Sequence, residues 1–279
     1  MKQNRPRWIQ HLPEYAAEAF GLGLFMVSAC GFAILFFHPA SPALQWIPGV
    51  LGRNLAMGAA MAVTLLVNVY GPWGQRSGAH LNPAVTLTFY RLGKVAGGDL
   101  PGYVVAQFLG GLAGTGIAVL IFGSRLADPS VNYVATVPGP DGVVVAFLAE
   151  LAITFGLMLV ILHVASTAAL SRYTGMIAAV LVGLYIAFEA PYSGMSMNPA
   201  RTVGSAVYAH VWTGLWLYFV APPLGMLAAA EVYLRLRGTT ARLCAKLYHT
   251  DRVRCIFCGQ QPAGQLLAND REPAPSSRH

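Results

Sequence analysis

Six stretches of the chain are apolar almost without interruption, at about Tyr15–Phe37, Val50–Tyr70, Gly102–Phe122, Val143–Leu170, Thr174–Ala190 and Val211–Leu234. Each is near the roughly 20 residues that an α-helix needs to cross a hydrocarbon core. Cores of soluble proteins rarely supply six such runs in one chain, so the pattern predicts six membrane-spanning helices. The first run is too long for a cleavable signal peptide and lacks a small-residue cleavage site.

Polar residues interrupt this pattern in a repeated way. Asn82-Pro83-Ala84 and Asn198-Pro199-Ala200 stand 116 positions apart, preceded by Ser77-Gly78 and Ser193-Gly194. Asn as N-cap followed by Pro at the first helical position starts a helix. One such tripeptide is ordinary; two in matching context signal duplication. Glu18 and Glu150 each place one carboxylate in the first span of a half. Tyr103-Val104-Val105-Ala106 leads to Gly110, and Tyr218-Phe219-Val220-Ala221 leads to Gly225. The halves cover about residues 12–123 and 143–236, with three spans each, and an odd number of spans inserts the second upside down. The polar, Gly-containing stretch before each Asn cannot face lipid, so it is buried in protein or lines a water-filled space. Such inverted repeats carry short half-helices near the midplane. Gly110, Gly111, Gly114, Gly116 and Gly225 with Ala229 predict close helix contacts.

Composition agrees: 56% of residues are hydrophobic and 10% charged, against roughly 25% charged in a soluble domain. Mean hydropathy is +0.55. The net charge of +7 matters through its placement, because six spans put both chain ends on one side. Fifteen of the 18 Lys and Arg fall on that side, including Lys2, Arg5, Arg7, Arg242, Arg271 and Arg278. The positive-inside rule makes that side cytoplasmic. Topology accounts for the basic tail, which leaves no reason to invoke nucleic acid. Trp46, Trp212 and Trp216 on the outer side and Trp8 on the inner side read as interfacial anchors. Residues 124–142 form the long outer connection. Residues 237–279 read as a separate cytoplasmic tail, disordered over its last stretch from Glu272.

Six spans, an inverted repeat, His80-Leu81-Asn82-Pro83-Ala84-Val85-Thr86 and Asn198-Pro199-Ala200-Arg201-Thr202 make residues 12–236 similar to the aquaporin, or major intrinsic protein, family, in a bacterial-type form. The resemblance implies an all-α membrane protein, a right-handed bundle of six transmembrane helices plus two half-helices. It implies a homotetramer with one pore per protomer, sitting in a bacterial inner membrane. It further implies a passive water channel, not an enzyme, with no cofactor required for transport. Asn82 and Asn198 would cap the half-helices through their side-chain oxygens and leave amide N–H groups free for a passing oxygen. A water bound to both donors cannot relay a proton, and the positive helix ends repel cations.

Arg201 matches the family's filter arginine, and Met57, Ile186 and Met195 match the other filter positions. Strict water channels have His where this chain has Ile186. Glycerol channels follow the Arg with Asp, where this chain has Thr202, and line the filter with aromatics. Plant vacuolar relatives that pass water with other small neutral solutes share the Ile. The filter therefore predicts a channel for water and small neutral solutes. The alternative is a facilitator for glycerol, hydrogen peroxide, ammonia or a metalloid acid. A coupled transporter would need an ion site at the midplane, where the candidates are neutral Asn donors. Glu18 and Glu150 resemble the family's buried carboxylates that hold the half-helix loops, with a proton relay as the alternative. His80 is assigned a pore or loop role. Glu189 is assigned to lining the vestibule or anchoring a loop, with a pH-sensitive gate as the alternative.

Cysteine usage raises a separate point. Cys30 reads as packing within the first span. Cys255-Ile256-Phe257-Cys258-Gly259 resembles a zinc knuckle, and Cys244 and His249 would complete four ligands. A redox pair or idle thiols are the alternatives, disulfides being disfavoured in cytoplasm.

Overall fold

Each apolar run becomes a helix, and two short helices follow the Asn-Pro-Ala segments. The computed structural model describes residues 6–238, 243–250 and 252–261. Lys2, Arg5, Arg242, Arg271, Arg278 and the stretch from Glu272 lie outside the described residues. The principal helices are α1 (Leu12–Phe37), α2 (Val50–Tyr70), α3 (Pro83–Arg91), α4 (Leu100–Phe122), α5 (Val143–Ser166), α6 (Thr174–Phe188), α7 (Pro199–Ala209) and α8 (Leu215–Arg237). Six of these are long and apolar enough to cross a membrane, α6 together with the turn Ser171–Tyr173 that leads into it. Helices α3 and α7 are too short to cross and begin at the prolines predicted to start them.

The repeat is visible in the packing. Helix α1 lies along α4 and α5 along α8, the same pairing in each half, and α2 lies along α6 between the halves. These contacts are backbone-close. A Cβ at Gly110 would stand 2.3 Å from the Ala19 carbonyl oxygen, and one at Gly225 would stand 2.5 Å from that of Leu151. No side chain fits at either position, which is why Gly recurs at the matching place in both halves. Half-helix α7 leans most on α4, while α3 leans most on α8. Each half-helix therefore rests on the last span of the other repeat, and the halves are interlocked.

Large apolar side chains such as Leu120 and Val144 are exposed on the outside of the bundle, as lipid-facing positions must be. Trp8, Trp46, Trp212 and Trp216 are exposed as well. The connection after α4 does not stay on the surface as a plain loop. It forms two short turns, Gly123–Ala127 and Asn132–Val134. Beyond them the Gly139 N–H donates to the Tyr192 carbonyl (2.8 Å) and the Thr136 hydroxyl to the Thr202 hydroxyl (3.0 Å).

The tail corrects an expectation. Residues 243–250 and 252–261 do not stand apart from the bundle: Leu243, Ala245 and Leu247 are buried in the same apolar cluster as Val85, Phe89 and Met226. The average polarity of the tail hides these few apolar residues. Burying them against the helices is what pulls the segment in.

Candidate functional site

Two buried carboxylates organise the centre of the molecule. Glu18 on α1 and Glu150 on α5 are both 0% exposed, and a carboxylate so placed is tolerable only when ringed by donors. Glu18 accepts from the Ser77 hydroxyl (2.7 Å), the N–H groups of His80 (3.0 Å) and Leu81 (2.6 Å), and Gln107 Nε2 (2.8 Å). Glu150 accepts from the Ser193 hydroxyl (2.9 Å) and the N–H groups of Ser196 (2.6 Å) and Met197 (2.8 Å). Counted back from each Asn, the loop donors occupy the same positions. To aim them, Ala79 and Leu81 take φ of +57° and +51°, and Met195 and Met197 take +49° and +56°. Residues with a side chain pay for that conformation in steric strain, which the charge-assisted hydrogen bonds offset. The hydroxyls of Tyr103 and Tyr218 donate to the Ser77 and Ser193 carbonyls, each at 2.6 Å, and explain the matched tyrosines.

The Asn pair differs in one respect from the sequence expectation. Asn82 Oδ1 accepts from the Ala84 N–H (2.9 Å), and Asn198 Oδ1 from those of Ala200 (3.0 Å) and Arg201 (3.2 Å), as helix caps do. The amide groups are not left wholly free. Asn82 Nδ2 donates to the Met197 carbonyl and Asn198 Nδ2 to the Leu81 carbonyl, both at 2.7 Å. An amide carries two N–H groups, so one ties the two loops together and the other is available to a solute.

A cavity of about 380 Å³ runs past this junction, lined by Asn82, Asn198, Arg201, Met57, Ile186, Met195 and His80. The residues matched to a filter and the two Asn thus line one cavity. Arg201 Nη1 is buried without a hydrogen-bond partner, a donor waiting for an acceptor in the cavity. Phe25, Asn54, Val134 and Ala135 also line the cavity and were missed from the sequence. Asn54 stood one helical turn before Met57 as a polar residue in an apolar run, a signal that could have found it. Val134 and Ala135 come from the folded outer connection, which no local pattern announces.

Two other expectations shift. Glu189 does not line the cavity, and its buried carboxyl oxygens make no close hydrogen bond, with the Ser193 hydroxyl of the second loop near them. Burial, with the Glu150 carboxylate adding, pushes its carboxyl up to about 7. His80 lines the cavity but is only 4% exposed. Its Nδ1 pairs with the Thr86 hydroxyl (3.0 Å) and its Nε2 lies 2.5 Å from the Ala245 carbonyl in the tail. A carbonyl only accepts, so Nε2 carries the proton.

Cys30 is fully buried among Ala33, Ala118 and Leu126 and simply packs. The ligand atoms of Cys244, His249, Cys255 and Cys258 all lie within 4.8 Å of one another, so the tail holds a Cys/His cluster able to bind a metal. The contact between the Cys244 and Cys255 sulfurs holds the Cys255 thiol below its ordinary range and pushes Cys244 above it.

A family model described as "Major intrinsic protein" matches residues 7–233. The chain is 37% identical over 234 residues to a probable NIP-type aquaporin of Nicotiana alata, covering 82% of this chain and 79% of that one. It is 33% identical over 236 residues to aquaporin NIP1-1 of Zea mays, covering 84% and 78%. Among solved structures, the aquaglyceroporin from Plasmodium falciparum superposes with a TM-score of 0.64 at 24% identity, over 80% of this chain and 95% of that one, a likeness of fold. The Nicotiana and Zea relatives are plant proteins and give the bacterial-type qualifier no support. With the match spanning most of the chain and the paired loops in place, this protein belongs to the major intrinsic protein family, whose members are channels and not enzymes.

Proposed function

We propose that this chain is a passive channel whose junction is Asn82 and Asn198 and whose filter is Met57, Ile186, Met195 and Arg201, passing water together with small uncharged solutes. The observation that carries this is the single cavity on which all six residues meet. At the junction each Asn offers one N–H beside the positive end of a half-helix, so a water there orients its oxygen toward them and breaks the proton relay. At the filter one fixed cation faces three apolar side chains. With Ile186 in place of a second polar donor, the filter favours neutral solutes of modest size over water alone. Glu18 and Glu150 act as positioning residues for the two loops.

The membrane reading follows the basic residues: the face carrying both chain ends is cytoplasmic. The bacterial inner membrane rests on the sequence reading alone. Four copies would assemble with one pore each, using part of the exposed apolar surface. Transport needs no cofactor, and the tail cluster is assigned to zinc, for which three Cys and one His form a tetrahedral set.

Stopped-flow light scattering on proteoliposomes tests the channel. A sucrose gradient should give shrinkage well above that of protein-free vesicles, and a glycerol gradient should give shrinkage followed by re-swelling. Flux that depends on a proton or sodium gradient, or no flux above the empty vesicles in protein stripped of metal as well as in loaded protein, would reject the reading.

A further inference from the structure

The tail that carries the four metal-ligating side chains also reaches the pore. The sulfurs of Cys244 and Cys255 are 3.6 Å apart. A disulfide requires about 2.05 Å, whereas two thiolates on one tetrahedral zinc, each about 2.3 Å from the ion, stand about 3.8 Å apart. His249 Nε2 is 3.2 Å from the Cys258 sulfur. The Gly259 N–H closes a turn onto the Cys255 carbonyl (3.0 Å), with Gly259 at φ +77°. So short a segment has no core of its own, and segments of this size are held by a metal or a covalent staple.

What the cluster holds in place is specific. Between Cys244 and His249, the Ala245 carbonyl accepts from His80 Nε2 (2.5 Å), and the Leu247 N–H donates to the Gly78 carbonyl (3.1 Å). Lys246, only 3% exposed, donates to the Gln75 carbonyl (2.5 Å) and to that of Arg254 (3.2 Å). Between Cys255 and Cys258, Phe257 stacks on the His80 ring with centroids 5.5 Å apart and planes at 15°. Both segments that touch the first Asn-Pro-Ala loop are therefore bracketed by ligands. Leu247 completes the contact: it lines the same cavity as His80 and Asn82. An apolar side chain at the mouth of a narrow pore closes it by excluding water.

We infer that a zinc-class ion bound by Cys244, His249, Cys255 and Cys258 seats the tail on the first Asn-Pro-Ala loop with Leu247 as a plug, so that the metal holds this mouth of the pore closed and its loss opens it. The inference rests on the channel and zinc readings above. Without the ion, only apolar burial and a few hydrogen bonds hold the segment, and Leu247 exchanges between its seat and solvent.

The test uses the full chain in proteoliposomes, assayed for water flux with zinc bound, after chelation, and after zinc is returned. One ion per chain is expected, with flux rising about fivefold or more on chelation as the apolar block is lifted and falling again when zinc returns. Cys255→Ser with Cys258→Ser should bind no metal and conduct at the high level whether or not chelator is present. Leu247→Ala should keep the ion, shown by the thiolate-to-metal charge-transfer band of the cobalt-substituted protein, yet conduct at the high level when loaded. Bound metal with identical flux in loaded and stripped protein would overturn the plug and leave the channel standing. Thiols that bind no zinc, idle or oxidised to a disulfide, would overturn the zinc reading and the plug together. Absence of flux in loaded, stripped and Leu247→Ala protein alike would overturn the channel reading, and the plug with it.

Discussion

The two Asn-Pro-Ala loops are built by one recipe and put to different uses. Each hangs from a buried carboxylate through the same loop positions, carries two non-Gly residues at positive φ, and is pinned by a tyrosine hydroxyl. They diverge in what covers them. Three residues after Asn198 stands Arg201, with a nitrogen left unpartnered at the cavity; three after Asn82 stands Val85. The first loop is instead covered by the tail, through His80 and Gly78. The two loops thus share a scaffold and differ at a few positions, which on the proposed reading make one end selective while the other receives the tail.

Removing the carboxylates should have the largest effect and is the hardest test of that shared recipe. Glu18→Ala strands four donors and Glu150→Ala three, and each buried donor left unpaired costs about 1–3 kcal/mol. Both variants should yield far less folded protein in detergent, with Glu18→Ala the worse by thermal unfolding. If Glu150→Ala proved the more damaging, donor count would not be what orders the loops.

Next comes Arg201→Val, which gives the second loop the residue of the first. It should raise the ratio of glycerol to water permeability about tenfold by removing the fixed donor and widening the filter. An unchanged ratio would remove Arg201 from the filter. Glu189 sharpens the comparison further, because its counterpart 116 positions earlier is Trp73, which carries no titratable group and donates to Asn68 (3.0 Å). With its carboxyl raised from 4.5 to about 7, Glu189 holds a proton in the folded chain that the unfolded chain has lost between those values. Its contribution is therefore full at low pH and is lost as pH rises toward 7. The melting temperature of the natural chain should fall by a few degrees over that window, and Glu189→Gln should abolish the fall. Water permeability of Glu189→Gln should be unchanged at acidic and neutral pH; a pH response different from that of the natural chain would restore the gate. The smallest effects belong to Tyr103→Phe and Tyr218→Phe. Each loses the hydrogen bond to its serine carbonyl, about 1 kcal/mol, and Tyr218→Phe should cost slightly more because its hydroxyl also meets Thr136.

Much of this was legible without coordinates because it is local or repeated. Hydrophobic runs dictate spans, and Asn followed by Pro starts a helix wherever it occurs. The paired Glu, Tyr and Gly positions announced themselves by recurring in matching context, and the structure gives each pair the same job in both halves. Glu189 and the tail were misread for a common reason: each depends on what lies across the fold. Glu189 is polar in sequence, but its carboxyl is buried off the cavity. The tail is polar on average, yet Leu247 and Phe257 find apolar and aromatic partners on helices distant in sequence.

By itself, then, the sequence determined the spans, the inverted duplication, the two capped half-helices and the identity of the residues at the junction, since these follow from periodicity, capping chemistry and the cost of exposed backbone in lipid. Only the tertiary structure decided that each Asn spends one N–H on the opposite loop, that the outer connection supplies Val134 and Ala135 to the cavity, and that the Cys and His residues of the tail meet and Leu247 among them lines the same cavity. Those outcomes are contacts between segments far apart in the chain, and no local preference encodes which distant groups will meet.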